Sequence, residues 1–260
     1  MAETGDGPKR KACFFCERTD QKITNEHPWP RWLWKVLPDR GRVRYFQSVH
    51  REGGESIVRN WRDRDYNLQV RTVCDPCNSQ WMNRIEIAAR PFLEPMILGQ
   101  RSPLSVEAQT AVATWASMKA MVFESADDEI PIPISHRRAI FERQLPPPGT
   151  HIWLGAFVGQ VAFQRHFTFD YQEVGRPGVP CYGSTFVVGD LILQVFGQET
   201  KHGELRKLGS QLASGLTKIW PVRGPRVWPP PYALDDQALL LASNSFGRAE
   251  SYRPVTRDQG

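Results

Sequence analysis

The chain has 260 residues, of which 40% are hydrophobic, so it is long enough to bury the core of one large domain or of two small ones. Its 33 Lys and Arg residues outnumber its 28 Asp and Glu residues, and the formal net charge of +5 favours an acidic partner such as nucleic acid. Apolar runs of only a few residues exclude a membrane-spanning helix, and the N-terminal segment lacks the apolar region of a secretory signal, so we expect a cytoplasmic protein.

Two Cys-x-x-Cys pairs lie in the first third of the chain, one formed by Cys13 and Cys16 and the other by Cys74 and Cys77. The two-residue spacing lets both sulfurs of a pair reach one metal ion at about 2.3 Å, so the four thiols predict a tetrahedral structural zinc site. A redox-active pair usually occurs once, beside a β-α-β pattern, and no such pattern surrounds either pair. Disulfide bonds would require a secreted protein. Cys181 is left over, and we interpret it as a buried core thiol.

A basic and aromatic segment lies between the two cysteine pairs. Residues 30–37 predict one or two helical turns, residues 42–49 alternate charged and apolar side chains as a strand does, and residues 56–62 predict a returning strand. Residues 31–71 contain ten basic residues against five acidic ones; such a surface suits a phosphate backbone, although a solvated arginine-rich face has the same composition. The candidate nucleic-acid contacts are Arg31, Lys35, Arg42, Arg44, Arg62 and Arg64.

The remaining chain predicts helices first and strands afterwards. A long helix is predicted to begin at Asn78, since apolar residues recur over residues 81–92 at helical spacing, and a second is predicted over Ser105–Ser125 with Ser105 as its N-cap. Gly189-Asp190 predicts a tight hairpin, and the proline-rich residues 220–232 predict an extended segment. Further helices are predicted at 135–141 with Ser135 as N-cap, at 205–212 and at 235–242, and strands at 152–158, 161–169, 185–188 and 191–196.

Three polar residues beside the predicted zinc site fit the chemistry of phosphodiester hydrolysis. That reaction needs a base that deprotonates water and a cation that stabilises the phosphate and the leaving oxygen. His27 is a suitable base because the unperturbed pKa of histidine is about 6.5. Glu26 and the side-chain carbonyl of Asn78 offer oxygen ligands of the kind that Mg²⁺ or Mn²⁺ prefers. The alternatives without catalysis are that His27 packs against one of the Cys-x-x-Cys segments or binds the zinc, and that Asn78 caps its helix.

The order of these motifs along the chain is Cys13-x-x-Cys16, Glu26-His27-x-x-Pro30, Asn67-Leu68-Gln69 and Cys74-x-x-Cys77-Asn78. Over residues 12–95 this order resembles the four-cysteine HNH endonucleases, which have a ββα-metal fold. The resemblance implies that His27 is the general base, that Glu26 and Asn78 bind a catalytic Mg²⁺ or Mn²⁺, and that the cysteines hold structural zinc. It also implies that Asn67 orients His27. The expected partner is DNA, with RNA or a single strand as the alternatives.

Two features depart from the pattern of that family. Glu26 stands where the family often has Asp, and its longer side chain would change the geometry of a bound metal. Asn67 follows His27 by 40 positions, which implies an insertion that contains the predicted helical turns at 30–37 and the basic strand that follows them. This insertion fits either an element that grips DNA or a decayed site. His50 lies within it and is a second candidate base.

We therefore predict an α+β fold in which a zinc-stapled ββα-metal unit of treble-clef type precedes helices and a mainly antiparallel sheet. The predicted organisation is a disordered tail (1–11), a zinc-bound HNH-like nuclease domain (12–98), a helical connector (99–150) and a sheet-containing C-terminal domain (151–260). We predict a DNA endonuclease whose C-terminal region recognises the target or docks a protein partner, and no membrane. The alternative is a non-catalytic zinc module that binds nucleic acid or a protein. Only the enzyme needs Glu26, His27 and Asn78 to converge on one solvated pocket.

Overall fold

The computed structural model describes residues 11–37, 42–49, 57–64, 69–125, 132–160, 164–171, 179–199 and 215–244. Asn67 and His50 lie outside the described residues, as do residues 1–10 of the predicted tail and the predicted helix at 205–212. None of the helices in the described ranges is long and apolar enough to span a membrane.

The described residues mix helix and sheet, as the predicted α+β class requires. The N-terminal elements are β1 (Ile23–Glu26), α1 (Leu33–Val36), β2 (Arg42–Val49), β3 (Ile57–Arg64), β4 (Val70–Cys74), a π-helical turn (Cys77–Met82) and α2 (Asn83–Ile97). They are followed by β5 (Ser102–Leu104), α3 (Val106–Glu124), α4 (Ile134–Arg143), β6 (Thr150–Phe157), β7 (Gln164–Tyr171), β8 (Val179–Val188), β9 (Leu191–Gln198), β10 (Thr217–Trp220), β11 (Arg226–Trp228), β12 (Ala233–Leu234) and α5 (Asp236–Asn244).

β1 and β4 form an antiparallel pair that positions the second cysteine pair. Cys74 at the end of β4 lies opposite Ile23 at the start of β1. The register shifts after Thr24, so that Glu26 lies opposite Val70, and irregularities of this kind re-aim side chains at the end of a ladder. Cys74, which ends β4, is therefore held against the strand that ends in Glu26.

β2 and β3 form the antiparallel ladder that the alternating charged and apolar residues predict. β2 coincides with the strand predicted at 42–49. β3 begins one residue after the start of the returning strand predicted at 56–62 and ends two residues after its predicted end. The register places Arg42 opposite Arg64. It also places Arg44 opposite Arg62, so four candidate nucleic-acid contacts lie at one end of a single ladder.

The main sheet contains five antiparallel strands in the order β10-β6-β9-β8-β7, and β12 joins β6 in parallel. The tight turn predicted at Gly189-Asp190 joins β8 to β9 and is confirmed. Gly189 has a φ of +54°, a conformation that favours glycine, and a Cβ atom there would lie 2.3 Å from the carbonyl oxygen of Ile97. The turn therefore also depends on close packing against the end of α2.

α3 is almost entirely buried after its first turn and follows the cap that the sequence predicts. The Ser105 hydroxyl accepts a hydrogen bond from the Ala108 backbone N–H at 3.1 Å. The predicted cap of α4 is wrong, because Pro133, which has no N–H to satisfy, takes the cap position. Ser135 lies inside the helix, and its hydroxyl donates to the Glu199 carboxylate at 2.9 Å.

A contiguous set of buried apolar side chains extends from Cys13 to Trp228 and includes residues of α2, α3 and the main sheet. α3 packs against α2 and β4 on the N-terminal side, and against β9 and β10 of the sheet. A side chain of α3 can therefore reach the N-terminal elements through the interior. A second buried cluster lies between the sheet and α5.

Candidate functional site

The two cysteine pairs come together beside the end of β4. The Sγ atoms of Cys13, Cys16, Cys74 and Cys77 lie within 4.8 Å of one another, and those of Cys16 and Cys74 are 3.6 Å apart. Four sulfurs that each lie about 2.3 Å from one tetrahedral metal ion require separations of this size. All four cysteines are free of disulfide bonds. The cluster therefore meets the geometric requirement of a structural metal site.

Contacts from two directions fix the first cysteine pair. The backbone N–H of Cys74 donates to the Cys13 sulfur at 3.4 Å, and a hydrogen bond from Cys77 lowers the pKa of Cys13 to about 4. On the other side, Arg137 of α4 donates to the carbonyl oxygen of Phe14 at 3.0 Å, and its guanidinium lies 4.8 Å from the centre of the Phe14 ring. The segment that carries Cys13 is thus held by Arg137 of α4 as well as by the second cysteine pair. The lowered pKa of Cys13 makes it a thiolate suited to a metal.

A cavity of about 320 Å³ lies between the loop that follows β1 and the helical segment that follows the second cysteine pair. Its lining residues are Asn25, Glu26, His27, Pro30, Arg31, Trp32, Asn78, Asn83 and Glu86. Arg31 and Asn83 are exposed, so the cavity opens to solvent. The three residues that the enzyme hypothesis requires to converge, Glu26, His27 and Asn78, share its wall.

Glu26 is buried in that wall and faces a lysine that comes from α3. The ammonium group of Lys119 lies 3.2 Å from the Glu26 carboxylate, pairs with Glu86 as well, and lies 3.4 Å from the carbonyl oxygen of His27. Burial raises the pKa of Glu26, while Lys119 and the Asn78 side chain oppose that rise. The pKa of Lys119 is itself raised, because the two carboxylates outweigh the effect of its complete burial. The site therefore contains an internal cation.

His27 directly follows β1 and is 9% exposed. Its Nε2 atom lies 2.9 Å from the amide nitrogen of Gln69, and its ring meets Trp34 edge to face with the centroids 5.9 Å apart. Burial lowers the pKa of His27, and the positive charges of Arg31 and Lys119 lower it further, so the imidazole is neutral near pH 7. In the described ranges the metal-ligand cluster consists of the four cysteines without His27, which argues against its alternative role as a zinc ligand.

Asn78 lies inside the π-helical turn, and the cap position of that turn belongs to Pro76. Its amide nitrogen lies 3.3 Å from the Thr24 hydroxyl, and its side chain also hydrogen-bonds Glu26. The simple N-cap alternative is therefore wrong. Asn78 and Glu86 are eight residues apart, about 2.2 turns of α-helix, and a wider π turn brings the two positions closer to one face. π-Helical turns are rare in proteins, and those that occur are often found at functional sites.

One of the predicted nucleic-acid contacts lies at the cavity, and a second lies on the short helix α1. Arg31 lines the cavity, and Lys35 is exposed on α1. Trp34 is 46% exposed and Trp32 is half-buried, so these alternate tryptophans do not share one face. The other four contacts belong to the β2–β3 ladder described above: Arg42, Arg44, Arg62 and Arg64.

Sequence reasoning missed Gln69, Glu86 and Lys119. Lys119 could have been noticed as the one charged residue in residues 112–123, since a charge within an apolar helix needs a buried partner. Glu86 lies on the same predicted helix as Asn78, but a regular α-helix does not align the two positions. Gln69 belongs to the Asn-Leu-Gln motif, but the family resemblance implies a role only for the asparagine of that motif.

No protein-family model matches this chain, and neither a curated protein nor a solved structure matches it. The resemblance to the HNH endonucleases therefore depends on the sequence motifs alone.

Proposed function

We propose that this protein is a metal-dependent endonuclease of the HNH type that hydrolyses phosphodiester bonds in DNA. The observation that supports this most directly is that Glu26, His27 and Asn78 line one solvent-accessible cavity. Its volume of about 320 Å³ is at the lower end of the range of ligand sites, roughly 300–1,000 Å³. A set of residues that served packing alone would need no such opening.

In this proposal His27 is the general base. The neutral imidazole takes a proton from water while the water oxygen bonds to phosphorus and the bond between phosphorus and the leaving oxygen breaks. The leaving oxygen takes its proton from solvent. The base nitrogen is Nδ1: Gln69 holds the ring at Nε2, with its amide turned so that the side-chain oxygen accepts from Nε2–H and Nδ1 keeps its lone pair. The guanidinium of Arg31 neutralises charge on the phosphate oxygens.

The donor atoms fit two kinds of metal. The four thiols suit structural Zn²⁺, which prefers sulfur ligands in a closed tetrahedral site. The Glu26 carboxylate and the Asn78 amide oxygen suit Mg²⁺ or Mn²⁺. An ionised carboxylate accepts at about four positions, so Glu26 can face Lys119 and still offer an oxygen toward the cavity. A bound divalent ion would stabilise the charge that develops on the phosphate and the leaving oxygen.

A catalytic unit of this kind needs to hold a nucleic-acid backbone. The pairing of Arg42 with Arg64 and of Arg44 with Arg62 gathers basic positions on one ladder, and Arg31 adds a charge at the cavity. Cationic contacts of this type bind phosphates without reading sequence. DNA is therefore the substrate that we propose, and RNA or a single strand would use the same charges.

A second candidate function has one specific observation in its favour. The buried ammonium of Lys119 already pairs with both Glu26 and Glu86, so these carboxylates have a structural reason to be there. A zinc module that binds nucleic acid or a protein without cutting would have the same ion pairs. The two functions differ in whether the protein cleaves the strand, with a divalent metal and His27, or only binds its partner.

The deciding experiment is a nicking assay on supercoiled plasmid with the full chain, with and without Mg²⁺ or Mn²⁺. His27→Ala and Asn78→Ala are compared with Gln80→Ala, which changes an exposed residue of the same π-helical turn that does not line the cavity. Zinc content and thermal melting are measured for every variant. We expect metal-dependent nicking by wild type and Gln80→Ala, with a loss of about 100-fold or more in the other two.

Cleavage that persists in His27→Ala, with zinc retained, would refute the assignment of the base. A wild-type protein that binds zinc and DNA but never cuts, with either metal, would establish the binding module instead.

A further inference from the structure

A second group of basic side chains lies at the edge of the main sheet, where β6 pairs with the edge strand β10. Lys218 lies opposite Trp153, with its amine 5.3 Å from the centre of the indole ring. The same amine contacts Nδ1 of His151, whose ring stacks on Trp153 at a centroid distance of 6.0 Å. Burial lowers the pKa of both His151 and Lys218, and the nearby positive charge of Arg223 lowers both further.

These groups face a direction different from that of the cavity. Side chains alternate along a strand, and the neighbours Ile152 and Leu154 of β6 belong to the core that contains α3. Trp153 belongs instead to the buried cluster on the side of α5. The basic group is therefore separate from the residues that Lys119 of α3 joins.

The polar groups of Lys218, His151 and Arg223 that remain available for a ligand are all hydrogen-bond donors. The Lys218 amine donates to Nδ1 of the neutral imidazole, which leaves two amine N–H bonds and requires the imidazole proton to be on Nε2. Arg223 is exposed and adds its guanidinium donors. Within the described ranges no carboxylate forms an ion pair with Lys218 or Arg223. Basic groups that converge without an acid repel one another, and an anion relieves that repulsion.

We propose that His151, Lys218 and Arg223 form a phosphate-binding site on the β6–β10 edge. The amine supplies the fixed donor, because the His151 ring, which stacks on Trp153, and the cation–π contact hold it in place. The guanidinium supplies the fork that suits phosphate oxygens. Trp153 is only 8% exposed, so it forms the floor of the site and does not offer a face for base stacking. The phosphate comes either from the backbone of a nucleic acid or from a free phosphate compound.

The test uses the full chain and two probes, inorganic phosphate and a fluorescent 20-base-pair duplex, both without divalent metal so that cleavage plays no part. Lys218→Gln is compared with Lys218→Arg, which keeps the charge, and with Lys22→Gln, an exposed lysine outside the site. We expect Lys218→Gln to weaken phosphate binding about tenfold or more, as loss of a charged hydrogen bond does, while the other two variants stay within about twofold. Near-ultraviolet circular dichroism checks the packing around Trp153.

The two sources of phosphate give different results. If the duplex also binds more weakly to Lys218→Gln, and the slope of log affinity against log salt falls by about one, the site holds the nucleic-acid backbone. If only inorganic phosphate is affected, the site holds a free phosphate compound. A wild-type protein that binds no phosphate, or a Lys218→Gln variant with unchanged affinity, overturns the proposal. Because neither probe requires cleavage, this result is independent of the nicking assay.

Discussion

The ammonium group of Lys119 lies 3.2 Å from the carboxylate of Glu26, although the two residues are 93 positions apart in the chain. Lys119 belongs to α3, whereas Glu26 ends β1 and lines the candidate cavity. The lysine is completely buried, so its charge depends on Glu26 and Glu86. The helix that follows the predicted nuclease unit thus contributes a charge to the centre of that unit.

Lys119→Met should destabilise the fold strongly. The variant keeps the length of the side chain but leaves the Glu26 and Glu86 carboxylates without their shared cation, and breaking a buried ion pair costs about 3–5 kcal/mol. The measurement is the free energy of unfolding in urea. The double variant Lys119→Met with Glu86→Gln should lose less than the sum of the single losses, because the two residues interact directly.

The matched control is Lys22→Met, which makes the same change at an exposed lysine and should alter the free energy of unfolding little. Equal effects of the two lysine variants would mean that the buried ion pairs contribute nothing to the fold.

The four-cysteine cluster predicts one zinc ion per chain. Cys16→Ser should lose that ion and lower the free energy of unfolding by more than about 3 kcal/mol, because metal binding and folding of such a site are one event. Cys181→Ser is the matched control, since Cys181 is a buried thiol on β8 outside the cluster. Elemental analysis gives the zinc content and urea unfolding the stability. A Cys16→Ser variant that retained full zinc would remove this residue from the ligand set.

Sequence patterns predicted the parts of the fold that depend on local chemistry. The cap at Ser105, the hairpin at Gly189-Asp190 and the strand at residues 42–49 each follow from the preferences of a few neighbouring residues. The two-residue spacing of the cysteines predicted a cluster because a pair of that spacing can reach one metal ion. Such signals are contained within a few positions of the chain.

The features that sequence patterns missed depend on contacts between distant segments. Lys119 reaches Glu26 only because α3 packs on α2 and β4 through a shared core. Likewise, Asn78 and Glu86 line one cavity across a π-helical turn, which periodicity at 3.6 residues does not predict. The error at Ser135 is of a different kind. Its local sequence predicted an N-cap, but Pro133 takes the cap position and Ser135 lies inside α4.

Glu86→Gln should weaken the binding of Mn²⁺ to the cavity by about 10-fold or more, the range seen when groups that orient a metal ligand are removed. In the wild-type protein, Lys119 forms ion pairs with both Glu86 and Glu26. In the variant, the Lys119 ammonium would pair with Glu26 alone and so compete more strongly with the metal for that carboxylate. Isothermal titration with Mn²⁺ measures the effect without any cleavage. Glu94→Gln is the control, because Glu94 pairs with the exposed Arg90 on the same helix. Unchanged Mn²⁺ affinity in Glu86→Gln would show that Glu86 has no part in metal binding.

His136 should make the fold less stable in acid. It is buried in α4, with Nδ1 3.0 Å from the Tyr182 hydroxyl, and burial lowers its pKa to about 4. The unfolded chain, in which histidine has a pKa of about 6.5, binds the proton first as the pH falls. Stability from this residue is therefore complete above about pH 6.5 and is lost between that value and pH 4, by about 2 kcal/mol between pH 7 and pH 5.

The measurement is urea unfolding at pH 7 and pH 5 for wild type and His136→Gln. Other groups that titrate in this range contribute equally to both proteins and cancel in the comparison. Glutamine does not titrate, so the variant should lose about 2 kcal/mol less than wild type over the same interval. Parallel losses in the two proteins would mean that His136 takes up its proton in the folded state as easily as in the unfolded chain, and that its burial does not hold it neutral.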